Sequence, residues 1–303
     1  MHPVTAQGRP TNRWAWGLSG LAAAAALAIP GSFLLTTAAV PGSGDTFGHP
    51  QNVYIRTLSV SQPVTSLAVD DFGGQVRVKA GPVRHVQITE RISYDQADAP
   101  PPVAESVASG RLTLRDPACG NTDCDVDFTV TVPSSVSVNV ATQGGPAVVS
   151  GVARASVDSA GGPVGIADIS GPLTVSTGGG PLTIKRVAGP LRADTEGGML
   201  FAQGITASTA SVDTGGGPAQ VAFSASPTMV TVGTEGGPAI VRVPGGPYAL
   251  TADSGGGPEI IGIATDPAAR LSLRIASGGG PLQVEPAAEA GSVKPHSASG
   301  EAG

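Results

Sequence analysis

Hydrophobic residues recur along residues 138–286 in short alternating runs rather than at helical spacing. The segments Leu-Thr-Val at 173–175 and Leu-Arg-Ala at 191–193 each place a polar residue between two apolar ones. This alternation is typical of a short β-strand with one buried face, because successive side chains of a strand point to opposite faces. Two such runs occur in each repeat, so we expect this part of the chain to contain strands and turns.

A glycine-rich unit repeats eight times through the same region. Aligned on the residue after each glycine pair, the units are spaced by 17, 18, 18, 19, 20, 20 and 23 residues. An apolar residue stands three places after every aligned residue, and a hydroxyl residue stands four places before it. The aligned residues are Pro146, Pro163, Pro181, Met199, Pro218, Pro238, Pro258 and Pro281, and the hydroxyl residues are Thr142, Ser159, Thr177, Thr195, Thr214, Thr234, Ser254 and Ser277.

These features predict an all-β fold, a parallel β-solenoid of about eight short coils. A three-residue strand buries little surface alone, whereas coils stacked about 4.8 Å apart pair their backbone groups with the coils above and below. Glycine suits the corner of each coil, because the chain bends sharply there and the neighbouring backbone comes close. The corner glycines predicted in this way are Gly144, Gly145, Gly161, Gly162, Gly179, Gly180, Gly197, Gly198, Gly216, Gly217, Gly236, Gly237, Gly256, Gly257, Gly279 and Gly280.

The region before the repeats, residues 52–137, alternates like ordinary antiparallel strands, as in DFTVTV at 127–132. A degenerate copy of the repeat, LAVDDFGGQVRV, also stands there at 67–78. We expect a β-rich cap in this region over the first coil of a solenoid at 138–286, because an uncovered solenoid end invites edge pairing. The tail at 287–303 is small and polar and is expected to be disordered.

The N-terminal segment has the character of a membrane span. No charged residue occurs from Trp14 to Val40, and Arg9 and Arg13 precede this stretch. About 20 apolar residues cross a bilayer, and basic residues mark the cytoplasmic side. We therefore expect a cytoplasmic stub at 1–13, a transmembrane anchor in the plasma membrane at 14–40, a linker at 41–51 and the remaining chain outside. The alternative is a cleaved signal peptide and a secreted protein, since Thr37-Ala38-Ala39 offers small residues to a peptidase.

Composition and cysteine spacing limit which partners and which cysteine chemistry are expected of the chain. The net charge is −6, and without a Lys/Arg excess the chain is not expected to bind nucleic acid. Cys119 and Cys124 are expected to form a disulfide if the chain is exported. As a metal site they would be poor, because zinc normally takes four ligands and neither a second pair nor a nearby histidine follows.

Two acidic patterns in the sequence are candidate sites. Asp123, Asp125 and Asp127 alternate with apolar residues, which would place three carboxylates on one face of a strand as a metal site or an acid pair. A partial acidic column, made of Asp158, Asp194, Asp213 and Asp253, could hold a cation or a carbohydrate. We interpret both as solvated surface, since the calcium-loop spacing is not matched and only two members of the column occupy adjacent repeats.

The remaining chemistry-bearing residues form no recognisable constellation. The four histidines, His2, His49, His85 and His296, are scattered along the chain, and no phosphate loop or dinucleotide fingerprint is present. The sequence therefore predicts no catalytic residue, no metal ligand and no cofactor.

The chain resembles a bacterial adhesin-like family of unknown function. The resemblance rests on an N-terminal anchor, VRVKAG at 76–81, the segment RLTLRDPAC at 111–119, the segment from Cys124 through VPSSV at 132–136, and the reiterated Ser/Thr-x-Gly-Gly turns. It implies a β-solenoid displayed at the cell surface and no catalytic residues. The family's turns commonly carry Gly-Asp where this chain has Gly-Pro, so no ligand role of that acid is implied.

These observations lead to one functional expectation and two alternatives. We expect a non-enzymatic, membrane-anchored extracytoplasmic β-solenoid, an adhesin or a protein that contacts cell-envelope glycans or surface proteins. One alternative is a polysaccharide-active β-helix enzyme, although short coils leave little room for a cleft. The other is an envelope-sensing accessory that acts through a membrane partner, because about 13 cytoplasmic residues are too few for a signalling domain.

Overall fold

The computed structural model describes residues 36–40, 51–95, 100–116 and 124–287. Within these ranges the chain forms 24 β-strands, and none of its segments is a helix able to cross a membrane. The strands before the regular repeats are β1 (Thr36–Val40), β2 (Gln51–Val60), β3 (Ser66–Asp71), β4 (Val76–Ala80), β5 (Val86–Asp95), β6 (Ala104–Ala108), β7 (Arg111–Arg115) and β8 (Asp125–Val132).

The strands of the repeats are β9 (Ser137–Thr142), β10 (Ala147–Ser150), β11 (Arg154–Ser159), β12 (Val164–Ile169), β13 (Leu173–Thr177), β14 (Leu182–Val187), β15 (Leu191–Thr195), β16 (Leu200–Ile205), β17 (Thr209–Asp213), β18 (Ala219–Phe223), β19 (Met229–Gly233), β20 (Ala239–Val243), β21 (Tyr248–Asp253), β22 (Glu259–Ile261), β23 (Leu271–Ala276) and β24 (Leu282–Pro286). Each repeat contributes two short strands separated by a glycine turn, as the alternating runs predicted.

The strands form two sheets, mostly parallel, whose facing sides enclose one continuous core. The 13-stranded sheet has the order β1-β2-β5-β8-β4-β10-β12-β14-β16-β18-β20-β24-β22, and the 11-stranded sheet has the order β21-β23-β19-β17-β15-β13-β11-β9-β3-β7-β6. Equivalent repeat positions stack directly, as in Leu173 beside Leu191 and Val175 beside Ala193. The predicted all-β solenoid is thus seen in the described residues.

A coil consists of one strand from each sheet, and the two sheet orders agree on ten coils in space. Their order is β7–β8, β3–β4, β9–β10, β11–β12, β13–β14, β15–β16, β17–β18, β19–β20, β23–β24 and β21–β22. The strands β3, β4, β7 and β8, expected within a separate cap, supply the two additional coils. The degenerate copy at 67–78 is therefore a full member of the stack.

The spatial order departs from the chain order at both ends, whereas we expected successive repeats to lie on one another throughout. The coil β3–β4 lies between β7–β8 and β9–β10, although β7–β8 follows it in the chain. At the other end the last repeat, β23–β24, is inserted between β19–β20 and β21–β22. The outermost coil is thus β21–β22, whose Ile260 and Ile261 are 58% and 38% exposed.

Antiparallel strands cover the opposite end of the stack. β5 pairs with β8, β2 pairs with β5, and β6 pairs with β7, all antiparallel. Thr36–Val40, the last five residues of the expected membrane span, form β1 in antiparallel pairing with β2. The rest of that span, most of the linker and the tail beyond Ala287 lie outside the described residues.

Candidate functional site

A column of buried hydroxyl groups runs through the inside of the solenoid along the glycine corners. Seven of its eight members are at most 5% exposed, and Ser254 in the outermost coil is partly buried. In each coil the hydroxyl donates to the carbonyl oxygen of the second corner glycine, three residues later. We call this set the hydroxyl column: Thr142, Ser159, Thr177, Thr195, Thr214, Thr234, Ser254 and Ser277.

The two glycines of each corner have different roles. A Cβ on the second glycine would lie 1.8–2.4 Å from a carbonyl oxygen of the adjacent coil, so only glycine allows the coils to stack this closely. The first glycine faces open space, and from Gly179 onward it has φ between +95° and +130°, where other residues are strained. All 16 predicted corner glycines are described residues and lie in these turns.

Two carboxylates continue the hydroxyl column at its N-terminal end. Asp71 pairs with Thr142, and Asp116 follows Arg115, the partner of Asp70, so that it lies beside Asp71. Asp71 is 0% exposed and Asp116 is 3% exposed. Among the described residues, both carboxylate oxygens of Asp71 and Oδ1 of Asp116 have no hydrogen-bond partner. Uncompensated burial of this kind disfavours the ionised form of a carboxyl group.

Burial and neighbouring carboxylates raise the pKa values of this pair. Burial is the main cause that raises the pKa of Asp71 to about 7, and Asp116 is the largest electrostatic contributor. Burial likewise raises the pKa of Asp116 to about 6, although a hydrogen bond from the Phe72 backbone opposes the shift. Burial also raises the pKa of Asp125, with Asp127 adding to the shift.

Two outer carboxylates near this pair, Asp70 and Asp127, have cationic partners, unlike the inner pair itself. Asp70 accepts from Arg115 at 3.1 Å, and Asp127 accepts from Arg91 at 3.3 Å. These two pairs are exposed, so solvent screens them. We call Asp70, Asp71, Asp116, Asp125 and Asp127 the acidic corner. Among the described residues, neither Asp71 nor Asp116 forms an ion pair with any basic side chain.

A second buried acidic group joins the two sheets near the same end. Arg56 on β2 contacts Glu90 on β5 at 2.6 Å and also contacts Glu105 on β6. Glu90 is fully buried, and burial raises its pKa although Arg56 opposes the shift. Burial and the nearby Glu90 raise the pKa of Glu105 to about 7. One guanidinium therefore holds two carboxyl groups from opposite sheets.

The acidic patterns singled out in the sequence lie on outward faces of strands, and Asp125 and Asp127 belong to the acidic corner. Asp125 and Asp127 share one face of β8, opposite the buried Val126 and Phe128, whereas Asp123 lies outside the described residues. In the acidic column, Asp194 and Asp213 are direct neighbours. Asp158 is separated from Asp194 by Ser176, and Asp253 lies two coils beyond the partner of Asp213, so four stacked carboxylates do not form.

The described residues include only some of the cysteines and histidines considered in the sequence. Cys124 is not a free cysteine, but its expected partner Cys119 lies outside those residues, so the bond between the two stays a prediction. His85 is exposed, and the other three histidines also lie outside. In the part of the chain that is described, no three His, Cys, Asp or Glu side chains converge as metal ligands.

The inner pair Asp71 and Asp116 was missed by the sequence argument, although one signal was present. In LAVDDFGGQVRV, Asp71 stands four places before Gln75, where every regular repeat carries Ser or Thr. Aligning the degenerate copy column by column would have placed this carboxylate inside the coil. Asp116 had no such signal, because its place beside Asp71 depends on the pairing of β7 with β3.

Comparison with known proteins gives structural likeness only. No family model matches the chain, and no curated protein matches it. Solved structures that resemble it include a putative adhesin from Bacteroides fragilis, with TM-score 0.44 and 13% identity over 77% of this chain and 96% of that one. A putative lipid binding protein from Parabacteroides distasonis has TM-score 0.44 and 12% identity over 76% and 96% of the two chains.

A putative cell adhesion protein from Clostridium sporogenes has TM-score 0.26 and 8% identity over 77% of this chain and 98% of that one. At TM-scores below 0.5 these likenesses carry none of the arguments that follow.

Proposed function

We propose that this chain is a non-enzymatic extracytoplasmic β-solenoid that binds a cell-envelope polymer along its outer face. The observation that supports this is a ladder of polar side chains on the outside of the 11-stranded sheet, one from each of seven successive coils. We call it the outer ladder: Asn139, Ser156, Thr174, Arg192, Ser211, Thr231 and Arg274.

The geometry of the outer ladder suits a repetitive ligand. Its members stack in register, so hydrogen-bonding groups recur about every 4.8 Å along the solenoid axis. Six of the seven are exposed, and Ser156 is half-buried. Arg192 and Arg274 add guanidinium groups, which bind carboxylates or phosphates in bidentate fashion. An anionic glycan or similar envelope polymer lying along the axis would meet the same chemistry coil after coil.

The expected location follows from the N-terminal apolar stretch. Either a retained anchor or a cleaved signal peptide would place the solenoid outside the cytoplasm, where envelope polymers are accessible. The shallow grooves on the described surface are lined by mixed polar and small residues, as in the one containing Asn139, Ser156 and Thr174. Such a surface suits contact with an extended polymer better than enclosure of a small substrate.

A binding experiment tests this proposal. The full chain should bind purified anionic cell-wall polymer in a pull-down, and the double variant Arg192→Ala/Arg274→Ala should reduce binding at least about tenfold. Arg77→Ala is the matched control, because Arg77 is exposed on the outside of the other sheet and should leave binding unchanged. An equal loss with Arg77→Ala, or no binding, would contradict the proposal; release of sugar fragments would favour the enzymatic alternative.

A further inference from the structure

Asp71 occupies a place in the stack where the regular coils require a hydrogen-bond donor. In those coils the hydroxyl hydrogen goes to the carbonyl oxygen of the residue three places later, as from Thr177 to Gly180 at 3.2 Å. The corresponding residue for Asp71 is Gly74. An ionised carboxylate has no hydrogen to donate, whereas a neutral carboxyl group has one. Only the neutral form of Asp71 can therefore reproduce the chemistry of the column.

The surroundings of Asp71 also oppose its ionisation. The carboxyl groups around it come from the end of β7 (Asp116), from β8 (Asp125 and Asp127) and from its own strand (Asp70). On the other side, β9 carries no charged residue and brings Thr142 into register. The nearby cations, Arg115 and Arg91, are already paired with Asp70 and Asp127 at the surface.

We propose that Asp71 and Asp116 take the place of the hydroxyls as neutral carboxyl groups, and that their ionisation loosens the first two coils of the stack. Each carboxyl group releases one proton to solvent as it becomes a carboxylate. The products are two adjacent buried anions without a counter-charge, which repel each other and lack hydrogen-bond donors. The coils β7–β8 and β3–β4 thereby form a pH-sensitive joint at one end of an otherwise pH-insensitive column of hydroxyls.

The expected pH range follows from the two groups. Burial raises the pKa of Asp71 to about 7 and that of Asp116 to about 6. Both values lie above the ordinary value of 3.8. The folded coils therefore hold protons that the opened coils release, and closure weakens as the pH rises from about 4 to about 7.

Amide hydrogen exchange of the full chain at pH 5, 6, 7 and 8 tests the proposal. After correction for the intrinsic exchange rate, protection of amides in 66–80 and 111–116 should fall by at least about tenfold per pH unit between pH 5 and 7, because one to two protons are released on opening. Amides of β13 to β16, where the column contains only hydroxyls, serve as the internal reference and should keep their protection. Constant protection of the first two coils across this range would overturn the proposal.

Matched variants separate proton release from other effects. Asp71→Asn keeps the shape of the side chain but cannot ionise, so the pH dependence of the first two coils should shrink. Asp71→Thr, which restores the hydroxyl of the regular repeats, should act in the same way if the amide folds poorly. Asp158→Asn removes an exposed carboxylate and should leave the pH dependence unchanged. A pH dependence that is undiminished in both Asp71 variants would overturn the proposal, whereas a smaller dependence is expected from Asp116, which both variants retain.

Added calcium tests the remaining alternative, in which a bound cation rather than protons neutralises the two carboxylates. Hard divalent cations bind carboxylates, so a cation between Asp71 and Asp116 would neutralise them without protons. The proposal expects millimolar CaCl₂ at pH 8 to leave the protection of the wild-type coils unchanged. Restored protection in the wild type, absent in Asp71→Asn, would identify a cation site and overturn the neutral-carboxyl assignment.

Discussion

A Cβ atom on Gly162 would lie 2.2 Å from the carbonyl oxygen of Gly145 in the adjacent coil. The preceding glycine, Gly161, has nothing within 4 Å of the same position. Two neighbours in one turn thus differ completely in the space available for a side chain. Within this pair the corner is tight at the second glycine, because parallel coils bring backbone against backbone there.

This difference gives a matched pair of substitutions. Gly162→Ala should lower the free energy of unfolding by at least about 2 kcal/mol, because backbone atoms of two coils must move apart. Gly161→Ala should change it by no more than about 0.5 kcal/mol, since its φ is not in the left-handed region. Urea denaturation monitored by circular dichroism measures both. Equal losses would show that the close contact does not limit the stack.

The hydroxyl column should contribute to stability through hydrogen bonding rather than through volume. Thr177→Val keeps the shape of the side chain but removes the donor to Gly180, leaving a buried carbonyl with one partner fewer. We expect a loss of about 1–3 kcal/mol in the free energy of unfolding. Thr177→Ser retains the hydroxyl and should lose less of the free energy of unfolding. A Ser variant that is less stable than the Val variant would contradict this role. Denaturant titration at pH 7 makes the comparison.

Backbone conformation, rather than the ion pair with Asp168, should determine how substitutions at Arg186 change stability. Asp168 and Arg186 have φ of +59° and +54°, and the equivalent residues Gly151 and Gly204 are glycines. Arg186 pairs with Asp168 at 2.5 Å, but the pair is exposed and screened by solvent. The expected order of thermal stability is Arg186→Gly at or above the wild type, then Arg186→Ala, then Arg186→Val, because β-branched residues fit positive φ worst. A glycine variant below the alanine variant would show that the ion pair matters more than strain.

The order of the last two coils can be tested by deletion. Removing residues 248–270 excises only the outermost coil, and it joins β20 to Ser272 through Pro244–Pro247 and Leu271. The new connection therefore has five residues. The native connection at 224–228 has the same length, and it joins β18 to Met229, the residue of β19 that pairs with Ser272. We expect the pairings of β19 with β23 and of β20 with β24 to persist, with protected amides in β24.

Truncation of residues 271–303 is the comparison for this deletion. It removes the coil against which β21 and β22 pair, so it should lower the melting temperature more than the excision does. If repeats stacked in chain order, truncation would remove the outermost coil and would be the milder change. Differential scanning calorimetry of the two variants distinguishes the two orders.

Glu105 should make stability depend on pH at a site separate from the acidic corner. Its pKa is raised from 4.5 to about 7 mainly by burial, so the folded protein holds a proton that the unfolded chain loses above about pH 4.5. Its contribution is present at pH 4 and is lost as the pH rises through about 7, by about 1–3 kcal/mol. Glu105→Gln should flatten this part of the decline between pH 5 and 8 in urea titrations. An unchanged profile would assign the decline to other groups.

Local signals account for the parts of the fold that were predicted correctly. The alternation around Val175 and Ala193, the paired glycines and the invariant hydroxyl four places before each aligned residue all recur within a window of about 20 residues. A short repeat therefore shows both its strands and its corners. The outward residues of the ladder, such as Arg192, follow from the same alternation once the coils are known to stack in register.

Long-range pairing accounts for what was missed. β3 pairs with β7 and β9, which begin 45 and 71 residues later in the chain, so no repeat spacing reports that these segments share a sheet. The proximity of Asp71 and Asp116 depends on that pairing, and so does their burial. The inverted order of β21–β22 and β23–β24 could likewise not be predicted. Both coils have nearly the same sequence pattern, so either could lie beside β19–β20.

By itself, the sequence determined that residues from about 138 onward form short strands and sharp glycine corners, with a hydroxyl residue at a fixed place before each corner. These properties follow from side-chain period and backbone sterics within each repeat. Only the tertiary structure decided which coil lies beside which, because any two repeats can satisfy the same ladder of hydrogen bonds. That choice placed two carboxyl groups against each other at Asp71 and Asp116, where burial and mutual repulsion, rather than local sequence, set their protonation.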